Sequence, residues 1–185
     1  EVAQGYKDVK ERSAVVRFKV KGEDAYILAW TTTPWTLPSN VALCVNPDED
    51  YVKVTSKGYT YYMAAALVDT VLGEGAEILE HYQGKDLEFK EYEPLFPYAE
   101  KRIGNKKAYY VVCDTYVTLT DGTGVVHIAP AFGEDDSKVG HRYDLPFVQL
   151  VNEKGEMTEE TPWAGTFCKK ADMAVHAHRG FHHYL

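Results

Sequence analysis

Two stretches of this chain gather the side chains that could do chemistry. Residues 29–40, AWTTTPWTLPSN, hold four threonines, two tryptophans and two prolines. Residues 122–136, GTGVVHIAPAFGEDD, run from a glycine-containing turn through an apolar stretch to His127 and an acidic cluster. Three consecutive hydroxyls, Thr31, Thr32 and Thr33, could hold a water molecule or a developing oxyanion if the backbone presents them to a cleft. Asp135 and Asp136 suit a cation such as an ammonium group. Together the two stretches carry the parts of a site that holds a cation and a sugar and hydrolyses a bond between them.

Each feature also has a plainer reading. Threonines suit a strand edge, and Trp30 and Trp35 could simply fill a core. A lone histidine in an apolar strand is commonly a hydrogen-bonded structural residue. Acids at the start of a helix cap it and offset its dipole, and that position should keep both ionised at neutral pH. Gly122 and Gly124 permit a tight turn or a close backbone approach, but without the third glycine and lysine of a nucleotide loop. No GxSxG elbow and no cysteine nucleophile signature is present. His176, His178, His182 and His183 could bind a metal only adventitiously, so no metal site and no cofactor is expected.

The elements that must position these residues read mainly as strands. Residues 13–20 partly alternate and 25–31 are apolar and β-prone. Residues 51–55 and 59–63 flank Ser-Lys-Gly as a hairpin. Residues 64–72 read as a helix ended by Gly73 and Gly75. Further strands are expected over 76–82, 86–92, 108–113, 116–119, 125–128 and 147–151, with a turn over 120–124. A second helix is expected over 134–143, its first turn acidic. The fold class is α+β: a mixed, predominantly β, barrel-like sheet with a few short helices.

The 185 residues are expected to form one domain, with a core over about 1–170 and, over 171–185, a linker or a chain end without a role of its own. No apolar run approaches the ~18 residues of a membrane span, and no signal sequence is visible. Cys44, Cys113 and Cys168 are odd in number and widely spaced, which argues against a disulfide frame or thiolate zinc site and for a reducing cytosol. The net charge is −8, from 20 basic and 28 acidic residues. A domain that held nucleic acid by its own field would be basic. Only a small part of any nucleic-acid substrate should therefore touch this chain. Lys101, Arg102, Lys106 and Lys107 read as a solvated loop.

TTTPWTLPSN and GTGVVHIAPAFGEDD together resemble the editing domain of class I aminoacyl-tRNA synthetases, of the isoleucyl type. Valyl and leucyl relatives usually carry arginine before the first proline, where this chain has Thr33. HIGH and KMSKS sequences are absent, so the aminoacylation domain is not part of this sequence. The resemblance implies hydrolysis of the ester between valine and the terminal adenosine of isoleucine tRNA. It makes the partners the valine-charged tRNA(Ile) 3′ end and the rest of a synthetase, with the chain a cytoplasmic monomer. By the same resemblance Asp136 pairs with the α-ammonium group, and His127 lies beside the terminal ribose and the amino-acid side chain. Thr31, Thr32 and Thr33 surround the scissile carbonyl and the attacking water, and Trp35 and Asn40 contact the pocket and adenosine side. No protein nucleophile or dedicated base is expected; a ribose hydroxyl would help activate the water.

Departures are Ala131-Phe132, where many bacterial members have Gly-His, and Ser137, where a tyrosine is expected. Other readings are a valyl-type editor of threonine esters, a non-catalytic module for the tRNA 3′ end, and a structural insert.

Overall fold

The computed structural model describes residues 13–168. Among the described residues there are eight strands: β1 (Ala14–Lys19), β2 (Tyr26–Thr31), β3 (Ala42–Val45), β4 (Asp50–Ser56), β5 (Tyr59–Ala64), β6 (Glu77–Gln83), β7 (Tyr110–Cys113) and β8 (Val125–Ile128). The short α-helices within the described residues are α1 (Val68–Leu72), α2 (Glu100–Ile103) and α3 (Glu134–Tyr143). The strands form one curled, mixed sheet in the order β6-β4-β5-β2-β8-β3-β7, with β1 on the remaining edge of β2. This is the mixed, predominantly β architecture the sequence implies.

β2 is the strand that matters most for the site. One of its edges pairs antiparallel with β1 along its whole length. Its other edge is shared: β5 runs parallel to it at Tyr26 and Ile27, and β8 runs parallel to it at Trp30. The sheet forks there, and the Gly-Thr-Gly turn fills the fork. Thr123 is fully buried, its hydroxyl donates to the Leu28 carbonyl at 2.7 Å, and its own carbonyl accepts from the Ala64 N–H. Gly124 has φ +79°, and a Cβ there would sit 2.4 Å from that of Ala64. Both the backbone conformation and the packing therefore require glycine.

The core lies on both faces of the central strands. In β3, Leu43 and Val45 face one cluster with Phe18, Leu28 and Met63, while Ala42 and Cys44 face a second with Val139, Val148 and Leu150. Period-two alternation thus sorts apolar side chains between two cores. Being apolar on both faces, this short strand lacks the alternation that marks a half-buried one, so the sequence pattern does not reveal it.

Several expectations need correction. Residues 86–92 are not a strand: a capping box closes between Gln83 and Asp86 over the 3-10 turn Gly84–Leu87, and Phe89 then adopts φ +69°. Residues 116–119 are not a strand either. The Asp114 carboxylate accepts from the Tyr116 N–H, and Asn46 donates to the Thr115 and Val117 carbonyls, so side chains replace a ladder. Residues 147–151 alternate in burial but pair only at Val151, with Met157. The expected helix over 64–72 is a 3-10 turn followed by the shorter α1.

Lys101, Arg102, Lys106 and Lys107 are all exposed, as a solvated cluster would be, and three of them also make surface contacts. Arg102 pairs with Glu160, Lys106 with Asp144 at 2.9 Å, and Lys107 lies 5.0 Å from the Tyr110 ring centroid. All three cysteines are buried and free. Burial pushes the Cys113 thiol up to about 11 and Cys44 higher still, which disfavours the thiolate. Among the described residues no helix is long and apolar enough to cross a membrane.

Candidate active site

Because β2 and β8 are parallel neighbours, the segments that follow them leave the sheet from the same end. Ligand sites in open sheets form at such carboxyl ends. β2 ends at Thr31. Pro34 then opens the 3-10 turn Pro34–Ser39, where a missing N–H costs nothing and the fixed φ is already suitable. β8 ends at Ile128, a second 3-10 turn covers Pro130–Phe132, and α3 starts at Glu134. Trp35 and Phe132 meet edge to face with ring centroids 5.1 Å apart, bridging the two segments. The departure at Phe132 thus supplies half of an aromatic contact across the site.

The threonine loop is stitched to itself. The Thr33 N–H donates to Thr31 Oγ1 at 3.0 Å, and the Thr36 hydroxyl donates to the Thr33 carbonyl at 2.8 Å. Thr33 Oγ1 lies 3.3 Å from Thr36 Oγ1 and 3.5 Å from Thr31 Oγ1. Thr31 is buried, Thr32 half-buried and Thr33 exposed, so the loop presents its hydroxyls progressively to solvent.

His127 lies beneath this loop with 6% of its surface exposed. Its Nε2 is 2.7 Å from Thr36 Oγ1 and its Nδ1 is 3.3 Å from Asn40 Nδ2. Asn40 Nδ2 also donates to the Ala42 carbonyl at 2.8 Å, and its Oδ1 accepts from the Tyr92 hydroxyl. Burial lowers the His127 pKa from 6.5 to about 4, so the imidazole is neutral at pH 7. With both nitrogens engaged and the basicity suppressed, His127 is poorly suited to act as a general base.

Asp136 sits in the first turn of α3, half-buried, and its Oδ2 accepts from the Ala129 N–H at 2.9 Å. This hydrogen bond ties the helix start to the end of β8. The helix position alone implies a carboxyl held low, but burial raises the Asp136 pKa above its ordinary value, with the Ala129 N–H and the residue's own N–H working against that rise. Ser137 leaves the helix start closed, its N–H donating to the Gly133 carbonyl at 2.9 Å.

The structure therefore brings Thr31, Thr32, Thr33, Trp35, Asn40, His127 and Asp136 to one end of the β2–β8 pair. It adds two residues that sequence reasoning passed over. Thr36 is the fourth threonine of the same loop, and its spacing from Thr33 was the available signal. Tyr92 lies far along the chain in a proline-interrupted stretch, with no local signal at all. Among the described residues no group of three or more histidines, cysteines or carboxylates is placed to hold a metal ion. His176, His178, His182 and His183, like the proposed linker 171–185, lie outside the described residues.

No protein-family model matches the chain. It is 56% identical over 177 residues to isoleucine–tRNA ligase of Clostridium acetobutylicum, a match covering 95% of this chain and 17% of that protein. The Clostridium novyi enzyme is 55% identical and that of Picrophilus torridus 44%, each over 95% of this chain and 17% of the relative. The chain thus spans about one-sixth of the length of these relatives. Among solved structures, the editing domain of the P. knowlesi cytosolic leucyl-tRNA synthetase superposes with TM-score 0.69 at 13% identity, covering 93% of this chain and 95% of that one. GlLeuRS-CP1 superposes with TM-score 0.68 at 14% identity, covering 89% and 93%. The chain is a relative of one segment of the isoleucine–tRNA ligases and has the fold of the editing (CP1) domains of class I aminoacyl-tRNA synthetases.

Proposed function

We propose that this chain hydrolyses valine from mischarged Val-tRNA(Ile), cleaving the ester at the 3′-terminal adenosine. The observation that carries this reading is the convergence of the threonine loop and Asp136 at one end of the parallel β2–β8 pair. Valine is one methylene smaller than isoleucine, so a synthetic pocket cannot exclude it strongly and a second, hydrolytic site must remove the error. Isoleucine against valine is the case for which that double-sieve argument is usually set out.

In this reading the Asp136 carboxylate receives the α-ammonium group. A free amine separates an aminoacyl ester from most other esters, so the contact sets the substrate class. Thr31, Thr32 and Thr33 surround the scissile carbonyl and the water that attacks it. Trp35, packed on Phe132, and Asn40 and His127 beneath the loop shape the pocket for the valine side chain and terminal ribose. The chain supplies orientation and fixed dipoles rather than a nucleophile or a base. A hydroxyl of the terminal ribose assists the water.

The net charge of −8 fits a domain that receives only the tRNA 3′ end, other parts of a cytoplasmic synthetase gripping the rest. The domain itself acts as a monomer. The test is Asp136→Ala: valine release is abolished if the carboxylate positions the ester, weakened only in binding if the chain is a non-catalytic module, and little changed if it is a structural insert.

A further inference from the structure

We propose that Tyr92 is a positioning residue of this site: through Asn40 and His127 it sets the direction of a hydrogen-bond chain that makes Thr33 an acceptor toward the cleft. Tyr92 is buried, and its hydroxyl has one proton, which goes to Asn40 Oδ1. That fixes the amide. Its two Nδ2 protons then go to the Ala42 carbonyl at 2.8 Å and to His127 Nδ1 at 3.3 Å. Nδ1 must therefore carry the lone pair, so the ring proton sits on Nε2 and is donated to Thr36 Oγ1 at 2.7 Å. The single Thr36 proton already goes to the Thr33 carbonyl. Toward Thr33, Thr36 Oγ1 can only accept.

The chain thereby leaves Thr36 Oγ1 as an acceptor that draws the Thr33 proton inward. Thr36 Oγ1 is 3.3 Å away, and Thr31 Oγ1, which already accepts the Thr33 N–H, is 3.5 Å away. Exposed Thr33 consequently turns an oxygen lone pair outward. That polarity suits holding a proton of an attacking water and does not suit stabilising an oxyanion. Every link from the phenol to the loop has one direction, and Tyr92 is the donor at its buried end.

With phenylalanine at position 92, packing against Phe18 and Tyr109 is retained, but Asn40 Oδ1 loses its donor. Either the amide stays with a buried, unmatched oxygen, or it turns over and sets Oδ1 against the Ala42 carbonyl. The turned amide offers Nδ1 an acceptor, which moves the ring proton to Nδ1 and reverses the chain beyond it. Neither arrangement is satisfied, so both populate.

The experiment is nitrogen-15 NMR of histidine-labelled chain at pH 7, wild type and Tyr92→Phe, with the His127 signals assigned by His127→Gln. Valine release from Val-tRNA(Ile) is measured on the same samples, and only this second readout rests on the editing reading. The wild type should show the neutral Nε2–H tautomer alone and the variant both tautomers in exchange. Its kcat should fall about five- to tenfold with KM unchanged, the consequence of one lost buried hydrogen bond. An Nδ1–H tautomer in the wild type overturns the proposal whether or not the variant folds. So does a folded variant with the wild-type tautomer, whatever its kcat. A tautomer change in a chain that releases no valine supports the role of Tyr92 and counts against the editing reading instead.

Discussion

Lowering the pH should destabilise this chain through His127. The native imidazole has its pKa lowered from 6.5 to about 4 by burial, and the unfolded chain titrates near 6.5. Between those values the unfolded state binds a proton that the native state refuses, so stability rises with pH across the window and is lost as pH falls. At about 1.4 kcal/mol per tenfold change in proton affinity, the full effect is about 3 kcal/mol, reached near pH 4. That is a sizeable share of the roughly 5–15 kcal/mol of a typical domain. Asp136 contributes with the opposite sign. Its raised native pKa gives stability that is present at low pH and lost as pH rises through the carboxylate range. The assay must separate the two. Urea unfolding followed by tryptophan fluorescence, at pH values from 7 to 4, is run on wild type and His127→Gln. Glutamine offers Thr36 a donor and Asn40 an acceptor without titrating, and Asp136 cancels in the difference. The wild type should lose about 3 kcal/mol more than the variant between pH 7 and 4. Parallel curves would refute the burial argument and show that His127 accepts a proton in place.

The fork in the sheet and the chemistry of the site can each be perturbed. Gly124→Ala should cost about 2–4 kcal/mol in urea unfolding, because a left-handed φ of +79° is joined to a 2.4 Å approach to Ala64; an unchanged midpoint would mean that the fork is slack. Replacing the 2′- or the 3′-hydroxyl of the terminal adenosine by hydrogen should slow valine release for at least one analogue, since the proposed mechanism assigns activation of the water to the ribose rather than to a side chain. Unchanged hydrolysis with both would remove the ribose from the mechanism.

What could be read from the sequence was local. β1, β2 and the β4–β5 hairpin follow from apolar, β-prone runs and a Lys57-Gly58 turn with positive φ at both residues. α3 follows from its acidic start, and its bounds are those expected. Residues 147–151 show that alternation reports burial rather than pairing: Val148 and Leu150 are buried and Phe147 and Gln149 exposed, yet no ladder forms. The two site segments were visible as compositions, but that they share one end of a sheet is a matter of topology. β8 reaches β2 only because β5 occupies just the first half of that edge. The second layer was hidden for the same reason. Tyr92 is brought to Asn40 by folding, across 52 positions of sequence, and no periodicity or spacing marks it.

Hydrolysis of a mischarged ester is tested most directly by comparing release of valine from Val-tRNA(Ile) with release of isoleucine from Ile-tRNA(Ile), at high concentration of this chain and with Asp136→Ala as control. Valine should be released and isoleucine spared, and the substitution should abolish the release. Equal release of both amino acids, or release that survives loss of the Asp136 carboxylate, would contradict the editing reading.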